Sequence, residues 1–88
     1  MNAKQIIGWN LRRLRVERDL SQERLALEAQ IDRSYVGRVE RGMENVTVST
    51  LEAMAIALGV PVSALFVEPK TDEAKPVGLK AGRKPKRI

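Results

Sequence analysis

Between Ser21 and Gly42 the chain joins two short amphipathic stretches through only "QID", residues 30–32. Ser21 has the chemistry of an N-cap, and Glu23 follows in the positive first turn. Leu25, Ala26 and Ala29 then give one apolar helical face. Asp32 is the next candidate cap, Val36 and Val39 are an inward pair, and Gly42 ends the stretch as a C′ residue. Two short helices joined by so tight a turn must cross at a steep angle.

The remaining segments carry the same punctuation. Ile7, Leu11 and Leu14 follow i, i+4, i+7, one helical stripe. Thr47 can cap a fourth helix with Leu51, Met54, Ala55 and Leu58 inward, and Gly59 closes it. Pro61 opens a last short helix through Ala64, Leu65 and Phe66. Strand alternation of useful length is absent, so an all-α domain of five helices is predicted over residues 1–67. From Glu68 the pattern dissolves: residues 68–88 hold three prolines, two glycines and few large apolar side chains. Such a segment cannot bury enough surface to offset ordering entropy and reads as a disordered tail.

Composition narrows the chemistry. The 88 residues suffice for one small domain whose core is marginal, so a partner chain that buries more surface would help. Cysteine and histidine are both absent. That excludes disulfides, the usual zinc sites and His-based acid/base work, and leaves nothing to suggest an enzyme or a cofactor. The start shows no export signal, no apolar run is long enough to span a membrane, and the lack of cysteine fits a cytoplasmic protein. Net charge is +5, yet residues 1–68 balance at 9 basic and 9 acidic groups, whereas residues 69–88 hold 7 basic and 2 acidic. The excess lies wholly in the tail, so overall basicity says nothing about the folded body.

Placement of charge within the body says more. On the third helix Arg33, Ser34, Gly37 and Arg38 share a face by i, i+3 and i+4 spacing, opposite Val36 and Val39. Guanidinium groups match guanine O6/N7 and also phosphate, and a serine hydroxyl serves either. A mid-helix glycine costs roughly 0.5–1 kcal/mol against alanine, which is easier to understand where something approaches the backbone. A solvated polar face with a tolerated glycine explains the same residues.

The run "LSQERLALEAQIDRSYVGRVERG", followed by "TLEAMAIALGV", resembles the phage-repressor and Cro-type (XRE-like) helix-turn-helix family over residues 5–67. The resemblance implies a lambda-repressor-like DNA-binding fold. Asp32 to Val36, with Asn45 and Thr47 after the helix, is similar more narrowly to the controller proteins of restriction–modification systems. By that resemblance Gln22 would contact phosphate at the groove edge, and Arg33, Ser34 and Arg38 would face bases or phosphates in the major groove. Tyr35 would border that face and reach DNA, and Asn45 and Thr47 would contact backbone phosphate. Arg15 and Glu40 match a family pair that joins the first and third helices.

Three positions depart from the family pattern. Gln30 stands where the turn usually has glycine, which predicts a strained positive φ or an altered turn. Arg24 stands where a capping-box acid is expected after Ser21. Glu44 replaces a basic loop residue of some controllers.

The implied protein is a homodimeric transcriptional regulator that occupies double-stranded DNA, with no membrane and no small-molecule effector expected. Leu65 and Phe66 either finish the monomer core or form the dimer seam; two half-sites one DNA turn apart favour the seam. Trp9 is expected to be partly packed and Met54 to lie in the core. The tail's "AGRKPKR" resembles a minor-groove hook interrupted by Lys84, or else neutralises phosphate without reading sequence. The competing class is a protein-interaction module on the same fold, an antitoxin or bridging factor, which would not need Arg33 and Arg38.

Overall fold

A side-chain cap sets the start of each of the four α-helices. The computed structural model describes residues 1–70, and the expectations for residues 71–88 lie outside them. The elements are α1 (Ala3–Glu17), α2 (Gln22–Ala29), α3 (Arg33–Glu40), α4 (Val48–Leu58) and a 3-10 helix (Val62–Phe66). No strand occurs among the described residues. The side chains of Ser21, Asp32 and Thr47 accept from the backbone N–H of Arg24, Ser34 and Thr50, so each predicted N-cap is in place. Gly42 and Gly59 both take φ 72° beyond the helices they end. At α1 the sequence reading missed a reciprocal capping box between Asn2 and Gln5.

The fifth element differs from expectation. Pro61 does precede it, but Val62–Phe66 is a single stretch of 3-10 helix with no side-chain cap. Only five residues separate Pro61 from extended Val67, and short helical pieces of that length commonly take the tighter form.

Apolar stripes converge as the spacing requires. Ile7, Leu11, Leu14, Leu25, Ala26, Ala29, Val36, Val39, Leu51, Met54, Ala55, Leu58 and Leu65 make one core. Leu65 is completely buried, so it finishes the monomer core; its assignment to a dimer seam is corrected. Trp9 is buried, with the Arg13 guanidinium 5.6 Å from its ring centroid.

Two polar ties close the body. Asn10 is fully buried on α1 and its Nδ2 donates to the carbonyls of Leu65 (3.2 Å) and Val67 (2.7 Å), which anchors the C-terminal end. Arg18 Nε donates to Leu58 O at 2.7 Å, a cation at the last turn of α4. Gly8 lets α1 lie almost against the backbone of α3: a Cβ there would stand 2.4 Å from Val39 O and 2.9 Å from Glu40 O.

Candidate nucleic-acid interface

The orientation of α3 is fixed by a buried ion pair. Arg15 Nε donates to Glu40 Oε2 at 2.6 Å and Nη2 to Oε1 at 3.0 Å, with both side chains almost wholly buried. The third donor, Nη1, reaches Leu20 O at 2.8 Å, at the junction before α2. One arginine thus links α1, the α1–α2 loop and α3, and its forked geometry suits a bidentate carboxylate contact. Gln22 joins this network: its Nε2 donates to Glu40 Oε1 at 3.0 Å. The amide expected at phosphate is therefore already engaged between α2 and α3.

The α2–α3 turn carries Gln30 at φ 60°, ψ 45°. A non-glycine residue holds the left-handed conformation, so the turn keeps its geometry and the departure is absorbed as local strain. Its backbone N–H still donates to Leu27 O, and Ile31 N donates to Ala26 O.

The polar face of α3 is more crowded than its spacing suggests. Arg33 is exposed and has no hydrogen bond or ion pair among the described residues. Ser34 Oγ donates to the Asp32 carboxylate, and its backbone N–H donates to the same oxygen at 3.2 Å. That hydroxyl bond is the main reason the Asp32 carboxyl lies below its ordinary pKa. Arg38 is half-buried: its Nε donates to Glu44 Oε2 at 2.5 Å, and its guanidinium lies 5.7 Å from the Tyr35 ring centroid. Hydrogen bonding to Glu44 holds the Arg38 pKa above the usual arginine value, so the group stays cationic. Asn45 is exposed with its side chain free among the described residues, while Thr47 Oγ1 is committed to the α4 cap.

Gly37 does not belong to the outer face. It is buried, with Arg41 Nη1 and Gln22 Oε1 at 3.4 and 3.7 Å from where its Cβ would stand. Those are ordinary contacts with flexible side-chain ends, so no close approach from outside is needed to explain the glycine. The surface that remains is Arg33, Tyr35, Arg38 and Asn45, bordered by Glu44. Sequence reasoning missed that Glu44 partners Arg38: the six-residue separation crosses the helix end, where helical periodicity no longer tells which side chains meet.

A helix-turn-helix family model (HTH_3) matches residues 11–65. The "Neisseria hypothetical transcription factor" of Neisseria meningitidis serogroup B is 40% identical over 69 residues, which are 78% of this chain and 65% of that protein. The "Immunity repressor protein" of Bacillus phage phi105 is 45% identical over 62 residues, 70% of this chain and 43% of that one. The chain therefore spans less than two thirds of the length of either relative. The crystal structure of the restriction-modification controller protein C.AhdI from Aeromonas hydrophila superposes with a TM-score of 0.70 at 44% identity, covering 72% of this chain and 96% of that one.

Proposed function

This chain belongs to the helix-turn-helix family, and from that premise we propose that it is a sequence-specific transcription regulator acting as a homodimer on an operator. The relatives are named as a transcription factor, an immunity repressor and a restriction-modification controller, which supports a regulatory role. The observation that carries the reading is the cationic face of α3, with Arg33 unengaged and Arg38 held beside Tyr35, on a helix locked to the core by Arg15–Glu40. A rigid helix presenting two guanidinium groups suits major-groove guanines and phosphates. Arg33, Tyr35, Arg38 and Asn45 are the proposed DNA contacts. Gln22, Ser34 and Thr47 join them only by exchanging an internal hydrogen bond.

Dimerisation is supported by exposed apolar side chains on α4, on the 3-10 helix and just after it. Ile56, Val62, Phe66 and Val67 are 78%, 38%, 47% and 53% exposed. Phe66 is the proposed anchor of a symmetric seam. Resemblance to C.AhdI, nearly all of whose length is matched, favours an autoregulatory controller of a restriction–modification system working in the cytoplasm. A mobility shift with fragments of the source genome tests this against a protein-interaction module. A retarded fragment that resists excess random DNA supports the regulator; uniform weak binding to every fragment overturns it.

A further inference from the structure

An acidic side chain beside a DNA-facing helix repels phosphate, so Glu44 works against the cationic face that surrounds it. Its geometry suggests what it does instead. Glu44 Oε2 takes the Nε–H of Arg38 at 2.5 Å, Tyr35 lies 5.7 Å beneath the guanidinium, and Nη1 makes a long 3.4 Å contact with Ser34 Oγ. A guanidinium carries its donors in a fixed planar fork. It can meet guanine O6 and N7 either along its side, through Nε and Nη2, or at its end, through Nη1 and Nη2. With Nε taken by the carboxylate, the end is the edge left for a base, once Nη1 exchanges its long contact with Ser34 Oγ. The carboxylate also partly offsets the cation, which weakens any indiscriminate hold of Arg38 on phosphate.

We propose that Glu44 is a specificity-determining positioning residue: it grips Arg38 by Nε so that the Nη1–Nη2 edge meets a guanine in the major groove, and it keeps Arg38 off the DNA backbone. This rests on the reading of α3 as the groove-entering helix. Glu44 itself need not touch a base. The carboxylate selects the mode of contact, and the aromatic ring limits rotation of the guanidinium plane.

The test uses duplexes selected from random DNA by the wild-type protein. In each, guanines are replaced singly by 7-deazaguanine, which lacks the N7 acceptor; a scrambled duplex serves as the nonspecific probe. Wild type should lose about tenfold in affinity at one guanine per half-site, within the range for a bidentate contact. Arg38→Ala should lose that sensitivity. Glu44→Ala, which leaves Arg38 Nε without its acceptor, should melt within a few degrees of wild type, reduce the sensitivity to about twofold or less, and bind the scrambled duplex several-fold more tightly. If Glu44→Ala keeps the full wild-type penalty at that guanine, even with both affinities raised, the carboxylate is only a repelling charge and the inference is overturned while α3 readout stands. If Arg38→Ala keeps every guanine penalty, Arg38 reads no guanine and the inference falls with it. If wild type selects no duplex at all, the underlying regulator reading fails.

Discussion

Arg15 and Glu40, 25 residues apart in sequence, meet as a bidentate pair, Nε to Oε2 at 2.6 Å and Nη2 to Oε1 at 3.0 Å, inside the angle between α1 and α3. Removing one partner strands a buried charge, which typically costs about 3–5 kcal/mol. Glu40→Ala should therefore lower the melting temperature far more than Glu28→Ala, whose partner Arg24 is exposed and whose loss should cost about 0–1 kcal/mol. Equal small shifts would show that the pair does not hold α3.

Two glycines should respond to alanine with opposite signs. Gly8→Ala puts a Cβ 2.4 Å from Val39 O, so α1 and α3 must separate, at a cost of about 1–3 kcal/mol. Gly37→Ala meets nothing closer than 3.4 Å and gains helix propensity, about 0.5–1 kcal/mol of stabilisation. Denaturant midpoints of the two variants measure this directly. A stabilised Gly8→Ala would mean that the helices are not in backbone contact.

Capping and periodicity made much of this architecture legible in the sequence. Ser21, Asp32, Thr47, Gly42 and Gly59 act on groups a few residues away, so local pattern suffices to place them. The core stripes follow from the same 3.6-residue period. Long-range partners are different in kind. Asn10 looks like a surface residue of α1 until the chain returns 55 residues later to put Leu65 O beside it. Gly8 reads as a helix weakness until α3 lies across it. The candidate DNA face was legible only in part: Arg33, Tyr35, Arg38 and Asn45 remain at the surface, whereas Gly37 turns inward, and nothing local says that Gln22 donates to Glu40 or that Glu44 takes Arg38.

Acid should act through Asp32. Its folded-state pKa is depressed, chiefly by the hydroxyl of Ser34, so its contribution is present above the unfolded value near 3.8 and is lost as pH falls through the folded value. Ser34→Ala should raise the Asp32 pKa toward 3.8, and Asp32→Asn should flatten stability against pH below that value. Carboxyl carbon shifts followed by NMR report the titration. An Asp32 pKa unmoved by Ser34→Ala would show that the hydroxyl does not stabilise the ionised cap.

Leu65 and Phe66 are neighbours with different fates. Leu65→Ala should destabilise the monomer by about 2–5 kcal/mol, since the side chain is completely buried. Phe66→Asp, at a position 47% exposed, should leave the fold intact and convert a sedimenting dimer to monomer. A wild-type chain that sediments as a monomer at tens of micromolar would remove the seam.

The most direct test of the central claim is selection of bound duplexes from random DNA by the wild-type protein and by Arg33→Ala. Arg33 is exposed and has no partner among the described residues, so its loss should not disturb folding. Wild type should enrich a two-fold symmetric motif with half-sites about 10 base pairs apart, as a helix-turn-helix dimer requires. Arg33→Ala should enrich the same motif with preference lost at one position per half-site. Failure of the wild-type chain to enrich any motif, or an Arg33→Ala motif identical at every position with unchanged affinity, would contradict recognition of DNA by this face of α3.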